Sequence, residues 1–515
     1  MKGKFAAFLA ALLCVTLTAC STIPEGMGGE EPDTPSVLPN TEQTTAEAAF
    51  GYIKGDSFNP YTAQTAVNRS FASLLYESLY VLDETLEPQP LLAETVPWSS
   101  NEETAETEPV EETAEETVAP PTEIEITLRK DARFSNGKAV TAADVETSFK
   151  LAKASSRYRS QLQTVVSLKA RGDRAVVLKL SVPDVRYAAR LTFPVVNEAT
   201  AKEEIPLGSG VYYVAKTGEM LVANPHTPQK PQTTRALLKP YENSDAMRHA
   251  LGTGQILLYS SDLASGEIPR VTAASSPLAT SSLVFLGFNS QNAALTPAVR
   301  AAVNSALNRT EMKAAAFAGY ADVATSPFHP LFGGVKKPLF RTGSYTEQSL
   351  SLLEEAGYRA EEESHNRKQL KLKLLLSDGS QFRTAAAEQI KQSLLAVGVT
   401  VTVEEKPYAE YLAQLKSGAY DLHLGEIRLS DDLDLAPLFN GSASYGVSGT
   451  AGAAYTAYRR GTGTIEAFLT VFSEELPFLP LCYRSAMLAY HRQLENVRFT
   501  GFNLFSHIQD WKIRE

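Results

Sequence analysis

At 515 residues the chain is long enough for two or three structural units and for cores that need no covalent staples. Its 43% apolar and 21% charged residues are those of a globular protein, and Cys14, Cys20 and Cys482 are too few for a disulfide framework. The formal net charge of -11, with no clustering of Lys and Arg, argues against nucleic acid as a partner.

At the N-terminus Lys2 and Lys4 precede an apolar run from Phe5 to Leu17, a charged entry followed by a segment too short to span a bilayer as a finished helix. This reads as an export signal over residues 1–19. It ends in Leu17-Thr18-Ala19-Cys20, small residues before a cysteine, so Cys20 is the expected first mature residue and the site of lipidation. The alternative is an ordinary cleaved signal with an incidental cysteine. A diacylglyceryl group supplies the two chains that stable anchoring takes, at about 0.8 kcal/mol per buried methylene. The expected location is the cell membrane, lipid-anchored, on the extracytoplasmic face. No later stretch approaches a spanning length of apolar residues.

Removing Lys2 and Lys4 with the signal takes the net charge from -11 to -13, and much of that is local. Between Ser99 and Pro121 there are eight glutamates and no Lys or Arg, which leaves about -5 on the rest of the mature chain. Two segments read as disordered: residues 20–46, rich in Pro, Glu, Thr and Gly, and the acidic stretch 99–121. The first serves as a tether. The second is an insert at a loop tip or, alternatively, a docking site for a cationic partner.

From Ile124 the chain alternates strand and helix signals. Ile124-Glu-Ile-Thr-Leu128 alternates apolar and polar, Phe134-Ser-Asn-Gly137 supplies a turn, and Thr141 with Asp144 makes a capping box for the next helix. Thr296-Pro297 opens a helix with Val299, Ala302, Val303, Ala306 and Leu307 on one face, and another runs from Thr346 to a stop at Gly357. Lys371–Leu376, a helix through Ile390 and Leu394 closing at Gly398, and Val399–Val403 form a strand–helix–strand unit whose crossover implies parallel pairing. A helix through Tyr411, Leu412 and Leu415 stops at Gly418, and Tyr420–Leu424 returns as a strand. The body is therefore α/β.

Catalytic signatures are sparse. None of the seven histidines pairs with another at a metal-ligand spacing, and neither a Gly-x-Ser-x-Gly elbow nor a phosphate loop occurs. Ser135-x-x-Lys138 has the spacing of serine–lysine acyl enzymes but falls in a hairpin turn, and the adjacent Asp431 and Asp432 point different ways in either periodicity. No enzyme activity, cofactor or metal is expected.

Taken in order, several segments resemble the large ATP-driven transporter solute-binding proteins of the oligopeptide and dipeptide class, extracellular family 5. They are Leu74–Leu79, Pro88–Glu94, Leu128–Lys138 through Val145, Gly208–Tyr212, Phe288-Asn289, Val299–Arg309, Leu352–Tyr358 and Gly418–Asp421. The resemblance implies a two-lobed, periplasmic-binding-protein-like clamshell of type II, in the large class with an extra subdomain. Lobe I would comprise 47–68, 196–283 and the C-terminal return 456–515; the subdomain 69–195 would carry the insert 99–121; lobe II would be 284–455. It also implies a monomer that encloses a small solute, peptide being the prevalent cargo, and docks on the transmembrane subunits of an ABC permease. A ligand-sensing protein on the same scaffold stays open as the alternative.

The chain departs from the peptide binders after Leu424, where Gly425-Glu-Ile-Arg-Leu-Ser-Asp-Asp-Leu-Asp434 replaces their Asp-Tyr-x-x-Pro-like stretch and no Trp occurs between Trp98 and Trp511. Glu426, Arg428, Asp431 and Asp432 are expected just beyond the carboxyl end of a strand, where ligands of open α/β sheets sit. There Arg428 would fork onto a carboxylate and Asp432 would take an ammonium, or the four would form a solvated loop with internal ion pairs. Tyr445 is either a pocket wall or a surface residue. Tyr212 and Asn289 are ligand contacts or parts of the turn and hinge.

Overall fold

The computed structural model describes residues 48–98, 119–358, 369–439, 449–499 and 501–514. The leader, the tether with Cys20, most of the acidic insert and Tyr445 lie outside the described residues.

The chain opens with β1 (Ala49–Ile53) and the short helices α1 (Ala66–Ser70) and α2 (Ala72–Leu75). Next come β2 (Glu123–Thr127), α3 (Ala142–Ala154), β3 (Val165–Arg171) and β4 (Ala175–Leu180). The alternation of β2 buries Ile124 and Ile126 and exposes the glutamates, and β4 pairs antiparallel with β2 on one side and β3 on the other. At the start of α3, Asp144 N–H donates to the Thr141 hydroxyl while Thr141 N–H donates to the Asp144 carboxylate at 2.9 Å, the reciprocal cap that the sequence predicts. Ahead of it, Phe134 N–H donates to the Lys138 carbonyl at 2.8 Å, and Gly137 takes a φ of +85°. Ser135 and Lys138 are thus turn residues, not neighbours on a helix.

Strands β5 (Tyr212–Val214), β6 (Met220–Ala223) and β7 (Arg235–Tyr241) join β1 in a sheet ordered β1-β7-β6-β5, with β1 parallel to β7. The glycine turn before β5 rides on the end of α2. A Cβ at Gly210 would stand 2.3 Å from the Leu74 carbonyl oxygen, so this close approach of backbone to backbone excludes any side chain.

The largest sheet takes β8 (Leu258–Ser261), β9 (Ala274–Phe288), β10 (Ala321–Val323), β11 (Lys371–Ser377), β12 (Thr400–Lys406), β13 (Leu422–Arg428) and β14 (Phe478–Tyr490). Its order is β8-β14-β9-β13-β11-β12, with β10 paired to β14. Around it lie α4 (Pro297–Ala306), α5 (Thr346–Glu355), α6 (Gln381–Leu395), α7 (Tyr408–Ser417), α8 (Thr450–Arg460) and α9 (Ile465–Glu475). β11 is parallel to both β12 and β13, as the helical crossovers α6 and α7 require. Contrary to expectation, β13 does not end at Leu424. Gly425 to Arg428 pair with Phe285 to Ser282 of β9, so Glu426 and Arg428 are strand residues.

Buried apolar side chains form three main clusters. One is built on β2–β4 and α3 (Ile126, Phe149, Leu178); a second joins the β1 sheet to the C-terminal segment (Phe71, Leu238, Trp511); the third and largest surrounds the big sheet (Phe285, Leu374, Ile390, Phe472). β9 and β14 serve the last two at once, with Leu278 and Leu488 in one and Phe285 and Phe478 in the other. Where they pass between the clusters, their pairing slips between Leu278 and Ser282. The Thr280 hydroxyl there donates to the Arg484 carbonyl and the Ser281 hydroxyl to the Leu429 carbonyl.

Candidate functional site

The parallel strands β11 and β13 end at one edge of the large sheet, where loops are free to meet a ligand. Four expected site residues lie at the end of β13 or just past it, and their surroundings sort them into different roles.

Glu426 is clamped. It accepts from Arg484 Nε at 2.7 Å and from Arg383 Nη1 at 3.1 Å, which leaves it no free charge. Asp432 is fully buried, at 0% exposure, inside a network of charges contributed by three parts of the chain. It accepts from Arg459 Nη2 at 2.8 Å, from the Ser430 hydroxyl at 2.5 Å, and pairs with Arg190 at 3.0 Å. Arg459 on α8 and Arg190 also converge on buried Asp184, Arg459 at 2.9 Å. Asp434 closes the network at 3.5 Å from Arg190 and accepts from the Tyr455 hydroxyl at 2.9 Å. Burial raises the pKa values of Asp184 and Asp432, but the flanking guanidiniums outweigh it and both carboxylates are held below their usual range. Asp432 therefore has no capacity left for a ligand ammonium.

Asp431 and Arg428 face the other way. The half-buried Asp431 accepts from the Thr192 hydroxyl at 2.7 Å. Arg428 is solvent-exposed and makes no ion pair or side-chain hydrogen bond among the described residues. Yet its pKa is lowered, first by desolvation and then by the like charge of Arg157, with Arg484 and Arg69 adding to it against the pull of Asp431. The like charges that act on it come from distant segments: Arg157 after α3, Arg484 on β14 and Arg69 on α1.

Aromatic rings pack beside Arg157. The Arg157 guanidinium lies 5.1 Å from the Tyr158 ring centroid, and Tyr158 meets Tyr61 edge-on at 5.9 Å. The Tyr61 hydroxyl donates to the Pro194 carbonyl. None of Arg69, Arg157, Tyr61 and Tyr158 was singled out by the sequence. They sit on unrelated elements with no shared spacing, and only the Arg-Tyr adjacency at 157–158 hints at a stacked cation.

The other candidates do not meet at this place. The Tyr212 hydroxyl donates to the Thr233 carbonyl at 2.6 Å in the β1 sheet. Asn289 donates to the carbonyls of Gly418 and Tyr420 at 3.0 and 2.7 Å, tying the end of β9 to the α7–β13 turn. Among the described residues no cluster of His, Cys, Asp and Glu is arranged to hold a metal ion.

Residues 87–446 match the family described as bacterial extracellular solute-binding proteins, family 5 Middle. Protein XP55 of Streptomyces lividans is 29% identical over 197 residues, 35% of this chain and 33% of its own length. The nickel-binding protein NikA of Staphylococcus aureus is 23% identical over 299 residues, 55% of this chain and 59% of its own. The chain thus spans less than two thirds of either curated relative. The periplasmic murein tripeptide binding protein MppA, in its unliganded open form, superposes with a TM-score of 0.69 at 17% identity, over 91% of this chain and 98% of that one. The shared architecture is the two-lobed α/β fold of periplasmic binding proteins.

Proposed function

This chain belongs to family 5 of the bacterial extracellular solute-binding proteins, and from that premise we propose that it captures a peptide or similarly sized polar solute between its lobes and delivers it to an ABC importer. The observation that carries the reading is the family match over residues 87–446, and an exposed Arg428 at the end of β13, with no ion pair among the described residues, supports it. Relatives named for nickel and for a murein tripeptide set the range of cargo the scaffold accommodates.

The lobes meet through β9 and β14, and the slip in their pairing at Leu278–Ser282 is the natural hinge. Phe468 and Phe472 of α9 pack in the largest cluster, which supports a return to lobe I within β14 as an alternative to residue 456. Solute stabilises the closed form only to the extent that it binds that form more tightly than the open one. No bond is made or broken in this cycle, and Ser135→Ala is expected to leave it intact.

Native mass spectrometry of freshly purified protein, followed by extraction, tests the reading: a co-purifying small molecule, displaced on partial unfolding, is expected. Protein that carries nothing and shows no thermal shift with any member of a peptide library would shift the assignment to a sensing or interaction role. The lipid anchor is tested by Cys20→Ala, which should move the chain from washed membranes to the soluble fraction. A variant that stays with the membrane refutes the anchor.

A further inference from the structure

The buried charge network lies on a seam between parts of the chain. On the division proposed above, Asp184 and Arg190 belong to the subdomain 69–195, and Asp432 belongs to lobe II. With the return to lobe I taken within β14, Arg459 on α8 belongs to lobe II as well. Arg190 then reaches across to Asp432 at 3.0 Å, and Arg459 reaches back to both carboxylate oxygens of Asp184 at 2.9 Å. The rest of the seam is also polar. Val185 N–H donates to the Arg459 carbonyl at 2.8 Å, Gly333 N–H to the Thr85 carbonyl at 2.9 Å, and the Thr192 hydroxyl to Asp431 at 2.7 Å. The Arg186 guanidinium covers the Phe332 ring at 4.6 Å.

The subdomain meets lobe I differently. Gly210 N–H donates to the Leu75 carbonyl and Ser135 N–H to the Gly208 carbonyl, each at 3.0 Å, and Phe71, Leu74, Leu75 and Tyr76 are buried in the cluster of the β1 sheet. By contrast, among the described residues Leu86 is the one buried apolar residue of 69–195 in the cluster around the large sheet. Apolar burial holds the subdomain to lobe I, and charge holds it to lobe II.

That difference decides how each junction parts. A buried network with half its partners gone leaves charges uncompensated and out of water, which is worse than either the complete network or the hydrated one. The seam is therefore either shut with its pairs made or apart with its charges in water. We infer that Asp184, Arg190, Asp432 and Arg459 form an all-or-none latch through which lobe II, swinging about β9 and β14, grips the subdomain and fixes one closed geometry. The subdomain rides with lobe I. This inference rests on the solute-binding reading and adds to it the surface that must part to admit cargo.

Hydrogen exchange on the unsubstituted mature chain tests it first. The amides of Val185 and Gly333, which bond across the seam, are expected to share one protection factor, about tenfold or more below that of Gly210 at the other junction. Gly210 exchanging as fast as they do, or the two seam amides exchanging independently, would overturn the latch.

Spin-label distances supply the second measurement, in the mature chain carrying Cys20→Ala, whose remaining Cys482 is buried. Val166 on β3 and Leu395 on α6 are 57% and 54% exposed and lie on opposite sides of the seam. Arg190→Gln should move a Val166→Cys/Leu395→Cys pair from one distance to a second, longer one, shifting the ratio of the two about tenfold or more. A Val166→Cys/Glu242→Cys pair, which spans subdomain and lobe I, should keep one distance throughout. If Arg190→Gln fails to fold, the exchange result on the unsubstituted chain decides. A continuous spread of distances, or distances that ignore Arg190→Gln, would overturn the latch. Solute co-purifying with such a protein would leave capture in place; unchanging distances with nothing co-purifying would overturn both.

Discussion

Two groups of arginines drawn from distant parts of the chain have opposite surroundings. Arg190 and Arg459 are buried and saturated by Asp184, Asp432 and Asp434. Arg69, Arg157 and Arg428 are reachable from solvent and unpaired among the described residues. The first group is a fastener: it ties the segment after β4, the loop after β13 and helix α8 to one another, where no apolar contact alone would fix their register. The second group has no such task.

The contrast is broken most severely from the buried side. Arg459→Met leaves Arg190 as the one guanidinium for both buried Asp184 and Asp432, and a loss of about 3–5 kcal/mol is expected in urea unfolding, the usual result of removing one partner of a buried pair. Acid should do the same work gradually. Both carboxylates have folded pKa values below their unfolded ones, so the unfolded state binds more protons, the stabilisation is present above the ordinary aspartate range, and it fades as pH falls through the folded values. Urea midpoints from pH 7 down to 3 should drop steeply below about pH 4, and Arg459→Met should flatten that drop; an unchanged slope would detach the network from acid stability.

Thr192 stands between the two groups, with its hydroxyl on Asp431 and Gln161 Nε2 donating back to it at 2.8 Å. Thr192→Val should cost about 1–3 kcal/mol, the range for leaving buried polar partners unsatisfied. It should also raise the pKa of Asp431 further, since that hydrogen bond is among the effects holding it down against desolvation. At the other end, Arg428→Gln should change unfolding by no more than about 0.5 kcal/mol, as for a side chain with no partner to lose. A loss of several kcal/mol there would show Arg428 to be a second fastener and erase the distinction.

Much of the framework was legible because it is local. The Thr141–Asp144 cap, the Thr296-Pro297 start, the Gly418 stop and the β11–α6–β12 crossover each depend on a few adjacent residues, and each stands where the pattern placed it. The end of β13 was misjudged because Gly425 to Arg428 owe their strand conformation to β9, a partner far away in sequence. For the same reason Asp432 stayed open between a ligand group and an internal ion pair, since Asp184, Arg190 and Arg459 carry no periodicity that links them to it. Arg428 was named as a candidate for a carboxylate and is exposed at the end of β13, whereas Arg69 and Arg157 carry no pattern that singles them out.

As the proposed hinge, the slipped pairing of β9 and β14 would set how the molecule is able to move. Two strands joined by backbone hydrogen bonds along most of their length resist being pulled apart, yet a ribbon only two strands wide twists readily. The opposing halves are therefore linked by a torsional element rather than by a loose string, and each opening must retrace one axis. Substitutions at Thr280 or Ser281, whose hydroxyls hold the slip, would then alter the amplitude and speed of the swing without touching any atom that meets cargo.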